Sequence, residues 1–226
     1  MCGRFALFAK AGEIKEQFSL GHEPTLPARY NIAPGERILA VDMHANHQFE
    51  ADWFKWGLIP SWAKDEKIGY KMSNARAETI TQKPTFKKAF KSRRCLVVVN
   101  GFYEWHREGN IKQPYYFKRT DNQLFAIAAI WEYWRNPDDK IIKSCSMITT
   151  PANSLMKPIH ERMPAIINPD DYPTWLDTDD YDASQLKTLL LPDVSNAFEL
   201  YPVSTKVNNA RYHEPDVILP LSENGL

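Results

Sequence analysis

The pattern of apolar and polar positions along this chain reads as β-rich, with short helices between the strands. Arg37 to Met43 and Gln48 to Trp56 flank the turn-forming His44-Ala45-Asn46-His47 and predict a hairpin. Arg94 to Asn100 (RCLVVVN) is an unbroken apolar run of strand length and reads as a buried strand. Phe102 to Arg107, a turn at Glu108-Gly109-Asn110 and Gln113 to Lys118 follow, and Leu124 to Trp134 with Ile141 to Thr149 complete a second cluster of strands. Helical spacing is confined to Ala11 to Phe18, Pro84 to Lys91, Asp170 to Leu176 and Ala183 to Leu190, with Pro84 suited to a first turn. Strands and helices do not alternate strictly, which argues against a doubly wound parallel sheet. The expected fold is α+β: a single domain over residues 1–226, mostly antiparallel β-sheet (barrel-like) with short flanking helices. No repeat, linker or low-complexity segment divides it.

Composition narrows the class without naming a function. With 226 residues, 43% hydrophobic and 25% charged, the chain can bury a sizeable core and has the balance of an ordinary soluble protein. No run of eighteen apolar residues predicts a membrane-spanning helix. Gly12, Glu13 and Lys15 interrupt any secretory signal, so a cytoplasmic location is expected, nucleoid-associated when DNA is bound. Cys2, Cys95 and Cys145 are then expected as free thiols, and without a C-x-x-C pair they argue against a structural zinc site. No cofactor is called for. Trp53, Trp56, Phe117, Phe125 and Trp131 are assigned to the core, and the prolines mainly to defined turns.

A net charge of zero counts mildly against a nucleic-acid partner, but the distribution is more informative than the sum. Lys83, Lys87, Lys88, Lys91, Arg93 and Arg94 occur between Thr79 and Tyr103 with no acid among them. Asp170, Asp171, Asp177, Asp179, Asp180 and Asp182 form an acidic counterpart. These blocks are either two solvated faces that attract each other or, for the basic one, half of a phosphate-binding groove.

Cys2 carries the most specific chemistry. Initiator methionine is normally removed before a small residue, which would leave an α-amine and a thiol on one carbon skeleton. The α-amine has an unperturbed pKa near ~7.8, so roughly a quarter is neutral at pH 7.4, against about one lysine in a thousand. Only a neutral amine attacks a carbonyl. The tethered thiol then closes on the imine carbon to give a five-membered thiazolidine. With Met1 attached, the Cys2 nitrogen is an amide whose lone pair is delocalised, so the active form is expected to begin at Cys2. Taken alone, Cys2 reads first as merely a residue near a frayed end.

Further segments change that balance. Met1-Cys2-Gly3-Arg4-Phe5 opens the chain, and Trp56-Gly57-Leu58-Ile59-Pro60-Ser61-Trp62 precedes Ser73-Asn74-Ala75-Arg76-Ala77-Glu78. Gly101-Phe102-Tyr103-Glu104-Trp105 and Ile159-His160-Glu161-Arg162-Met163-Pro164 follow. Each motif is short, but in this order and spacing they resemble the SOS-response-associated peptidase (SRAP) family, whose members crosslink to abasic sites in single-stranded DNA. The resemblance runs from Cys2 to about Ser204 and implies a place in the DNA damage response.

It further implies that Cys2 is the crosslinking residue, surrounded by Asn74, Glu104 and His160, and that Arg4, Arg76 and Arg162 hold phosphates. Glu104 would shuttle protons during imine formation, His160 would protonate the sugar oxygen as the ring opens, and Asn74 would orient the sugar without charge. The loop containing Asn31 and Pro34 resembles the family's strand-wedging loop. Trp62 offers a stacking face, and the stretch from Lys83 through Lys87 to Arg94 would track the backbone. Lys83 and Pro84 stand where the family often has an arginine, leaving one phosphate contact open. The bland alternatives are ion-pair roles for Glu104, Arg4 and Arg76, and a surface pair for His160 with Glu161.

Three rival activities share these residues. An N-terminal-nucleophile amidotransferase or hydrolase also begins Met-Cys-Gly, with the thiol attacking an amide, but no glutamine-pocket motif follows. A cysteine peptidase would use Cys2, His160 and Asn74, leaving Glu104 without a task; release of the chain's own Met1 would be a minor form of it. A non-covalent reader of nucleic acid would make Cys2 incidental. For the crosslinking reading, the partner is single-stranded DNA containing abasic sites, with no metal or membrane, and strand cleavage by β-elimination is an open accompaniment.

Overall fold

A computed structural model describes residues 2–44, 47–195 and 197–221. In chain order the elements are β1 (Phe5–Leu7), α1 (Ala11–Gln17), β2 (Arg29–Ile32), β3 (Arg37–Met43), β4 (Phe49–Trp56) and β5 (Asn74–Arg76). Then come α2 (Pro84–Ser92), β6 (Arg94–Val99), β7 (Gly101–Glu108), β8 (Ile111–Arg119), β9 (Phe125–Arg135) and β10 (Ile141–Pro151). β11 (Arg162–Pro164), β12 (Ile166–Ile167), α3 (Tyr172–Leu176), α4 (Ala183–Thr188) and β13 (Phe198–Pro202) complete the chain.

The predicted hairpin forms as β3 and β4, and Ala45 and Asn46 of its turn lie outside the described residues. β3 pairs β6, β6 pairs β9, and β9 pairs β10, all antiparallel. β10 then meets β4 in parallel, with Ser144 opposite Lys55 and Cys145 opposite Trp56, which closes a five-stranded barrel. Closure leaves those strands without exposed edges. β6 is buried along its whole length because α2 and α3 cover the barrel outside it, so its sequence shows no alternation.

A second sheet, ordered β13-β8-β7-β1-β2, packs on the barrel. One of its faces gives Phe5, Phe102 and Phe117 to the main core. Its other face gives Ala6, Tyr103 and Tyr116 to a second core with Val203, Val207 and Val217 of the C-terminal segment. Glu104 therefore faces away from Tyr103 and Trp105, as strand alternation requires.

Some expectations change. The helix expected from Asp170 divides into a 3-10 turn, Pro169–Asp171, and the short α3. Trp56, Phe117 and Phe125 are core, whereas Trp53 and Trp131 are only half-buried. Arg94 is 1% exposed and cannot track a DNA backbone. It donates to the Phe90 and Lys91 carbonyls ending α2, to Trp175 O at 2.6 Å, and to Asp177 O beyond α3. A cation at two helix C-termini satisfies carbonyls that the helices cannot. Arg93 pairs with Glu132 at 2.7 Å, so the exposed part of the basic block reduces to Lys83, Lys87, Lys88 and Lys91. The acidic segment packs beside α2, with Lys91 over the Tyr181 ring.

Candidate active site

β1 lies between β7 and β2, with Phe5 opposite Phe102 and the Tyr103 amide donating to Arg4 O at 2.9 Å. This register carries the residues before β1 along β7 and brings Cys2 beside Glu104. Cys2 is fully buried. Burial first, and then the negative charge of Glu104, push its thiol up to about 12, so it is held as a neutral thiol at physiological pH.

Asn74 arrives from the barrel. After β4 the chain turns at Gly57, φ +129°, where a Cβ would stand 2.5 Å from Gly69 O. Only that close approach lets the following 3-10 segment, Glu66–Lys71, fold back so that β5 runs parallel to β10, Asn74 opposite Met147 and Arg76 opposite Thr149. Asn74 Nδ2 donates to Cys2 O at 2.8 Å and to Ser73 Oγ at 3.2 Å. Its Oδ1 is buried with no hydrogen-bond partner among the described residues.

The far end of β10 gathers the remaining motif residues. β11 pairs there, Arg162 opposite Pro151. The Arg162 amide donates to His160 Nδ1 at 2.9 Å, and the same ring nitrogen lies 3.1 Å from Arg162 O. Arg162 makes a two-point pair with Glu78, one bond at 2.9 Å, and also donates to Thr149 O at 2.7 Å. The Arg162 guanidinium holds the Glu78 carboxyl below its ordinary value. Arg76 is exposed beside them.

Sequence reasoning missed Glu78 and His106. His106 Nδ1 lies 3.1 Å from Pro158 O and fastens the loop carrying His160 onto β7. Its place two residues beyond Glu104 in a strand, hence on the same face, was the available signal. Glu78 had none, because its partner is 84 residues away.

The other nominated residues are spread more widely. Arg4 is half-buried, and Asn31 is fully buried with its amide committed to internal partners. Pro34 lies in the half-buried β2–β3 turn, while Lys83 and Lys87 are exposed at the start of α2. Trp62 is 65% exposed on a loop anchored to Ser144 and Trp134, toward the opposite end of β10 from Arg76. A cavity of about 530 Å³ between Trp53, Lys143 and Tyr133 opens at that same end and contains none of the motif residues.

No helix among the described residues is long and apolar enough to cross a membrane. The family model for SOS response associated peptidase (SRAP) matches residues 1–210. Abasic site processing protein YoqW of Bacillus subtilis is 40% identical over 222 residues, covering 96% of this chain and 99% of that protein. Abasic site processing protein HMCES of Xenopus tropicalis is 35% identical over 72% of this chain, which spans 55% of that longer relative. A crystal structure of a Bacteroides thetaiotaomicron protein superimposes with a TM-score of 0.88 at 26% identity, covering 98% of this chain and 100% of that one. The motif residues, the barrel that carries them and these likenesses agree: the chain belongs to the SRAP family.

Proposed function

We propose that this protein processes abasic sites by capturing the opened sugar in single-stranded DNA as a thiazolidine on Cys2. The reading is supported above all by the convergence of Asn74 and Glu104 on a buried Cys2. Relatives named as abasic site processing proteins support the substrate.

The chemistry proceeds in balanced steps. As the C1′–O4′ bond opens, protonated His160 gives its Nε2 proton to O4′ while Glu104 takes the C1′ hydroxyl proton, exposing the aldehyde, and exchange with solvent restores both groups. Asn74 Oδ1 accepts from a sugar hydroxyl and holds C1′ in place. With Met1 removed, the neutral Cys2 amine adds to C1′, and its two protons pass through Glu104, the first to the new alkoxide and the second to the departing hydroxyl, so one water leaves and an imine forms. The thiol then adds across the imine: sulfur bonds to C1′ and its proton passes to nitrogen. A neutral thiol suits this order, in which the amine attacks first. A cysteine peptidase needs a thiolate, and the raised Cys2 thiol disfavours that reading. Loss of a C2′ proton at the imine stage would instead eliminate the 3′ phosphate, in competition with ring closure.

Intact mass spectrometry after mixing with a single-stranded abasic oligonucleotide tests the proposal. The expected product has the mass of protein lacking Met1 plus oligonucleotide minus one water, and it survives denaturation. Cys2→Ser retains the amine and should give only a reducible imine with more strand cleavage. A stable adduct from Cys2→Ser, or from protein shown to retain Met1, would rule the mechanism out.

A further inference from the structure

Asn31 is an asparagine with no exposed surface whose side chain joins three separate parts of the chain. Its Oδ1 accepts from Arg4 Nη1 at 2.6 Å. Its Nδ2 donates to Tyr212 O at 2.7 Å and Asn209 O at 3.0 Å, with Val207 O at 3.4 Å. The Val207 carbonyl also accepts from Arg4 Nη1, at 2.8 Å. Both hydrogens of that nitrogen are thus taken by one clasp, built from β2 and the C-terminal 3-10 segment Thr205–Asn208. Nε donates to Gly3 O at 3.3 Å, and Nη2 has no hydrogen-bond partner among the described residues.

An arginine on a frayed end would lose much of its advantage to the side-chain entropy of ordering it. Here two acceptors fix the guanidinium plane before any ligand arrives, two residues from Cys2, with the Nη2 edge left to donate. The clasp is itself held: Trp105 Nε1 donates to Asn208 Oδ1 at 2.6 Å, and Tyr212 Oη donates to Asp216 at 3.0 Å.

We infer that Asn31 and the C-terminal segment around Val207 are positioning elements for Arg4, presenting its Nη2 edge to a backbone phosphate next to the captured sugar. The inference rests on the proposed capture of single-stranded DNA, and it gives Asn31 a task other than touching the strand. It also makes residues near Tyr212, past the end of the family match at 210, part of the working site.

The test measures non-covalent binding to a single-stranded oligonucleotide carrying a tetrahydrofuran abasic analogue, over a salt series, alongside the crosslinking rate on a true abasic oligonucleotide. Arg4→Ala should weaken both about tenfold and flatten the slope of log K against log salt by about 0.7, one phosphate contact. Asn31→Ala should reproduce that flattening with a five- to tenfold loss, and adding it to Arg4→Ala should cost nothing further. Since Asn31→Ala strands buried carbonyls and can fail to fold, Asn208→Ala on the exposed side of the clasp is the second variant. It should give a two- to threefold loss that vanishes in the Arg4→Ala background. Losses that add to Arg4→Ala for either variant, or a wild-type salt slope in folded Asn31→Ala, would overturn the positioning role while leaving capture intact. A wild-type slope in Arg4→Ala would overturn both this inference and the phosphate role of Arg4.

Discussion

Arg94 and Arg4 each reach into a cluster of backbone carbonyls, yet the two regions are built to opposite ends. Around Arg94, all three guanidinium nitrogens are consumed by the ends of α2 and α3, and burial lowers its pKa from 12.5 to about 10. Around Arg4, the clasp takes Nη1 and leaves an edge unspent; burial lowers its pKa too, though Glu36 and Tyr103 oppose the shift. The difference separates an arginine whose nitrogens are all engaged by the fold from one that keeps an edge to donate, the edge we assign to a phosphate. Residue type and local charge do not distinguish them. Counting the donors still available does.

The largest effect expected from this contrast is on stability. Arg94→Ala should cost about 3–5 kcal/mol, because four buried carbonyls lose their donor and a cavity opens. For a chain of this size that lowers Tm by roughly 6–20 °C, while the crosslinking rate well below Tm stays within twofold of wild type. A large loss of rate in folded Arg94→Ala would erase the distinction. Arg162→Ala should behave inversely: about a tenfold loss in affinity for single strands, and under about 1 kcal/mol in stability because its Glu78 partner is half-exposed.

Glu78→Gln should tighten binding to single strands by about threefold at low salt by releasing Arg162 from its carboxylate. Acidification should do the same, with a definite sign. Glu78 has a depressed carboxyl pKa, so its pair contributes stability above the ordinary value of 4.5 and loses it as pH falls through the lower folded value. Affinity at pH 7 that is unchanged by Glu78→Gln would show that the carboxylate orients Arg162 instead of competing for it. Smallest of all, Lys87→Ala should weaken binding about twofold and flatten the salt slope by about 0.7.

The long strands were legible because each is a largely apolar or aromatic stretch of strand length bounded by turn residues, as β3, β4, β7, β9 and β10 are. The short ones, β1, β5 and β11, were not, because three residues carry no period and their pairing to β7 and β10 is set by distant segments. Cys2, Asn74 and Glu104 were found through their motifs, and the structure brings them together. Arg94 was misassigned to a basic face; every residue of β6 is buried, and only the packing of α2 and α3 over that strand, which no local pattern records, encloses the guanidinium. Asn31 was nominated for DNA, but its burial depends on the C-terminal segment folding over β2, which no local pattern records.

That last contact has a consequence for biosynthesis. The hydrogen bond from Arg4 to Val207 spans 203 residues, and Asn31 reaches on to Tyr212. Contacts of such separation form only after the whole intervening chain is available, and their loop-closure cost defers them to late folding. Under the proposed mechanism, a nascent chain cleared of Met1 therefore carries a reactive aminothiol long before it has a finished pocket. Any small aldehyde can condense with it during that interval, without selection. Under the proposed capture mechanism, discrimination in favour of a sugar on a phosphate backbone begins only when the C-terminal segment docks, so the yield of active protein should fall when folding is slowed in the presence of a free aldehyde.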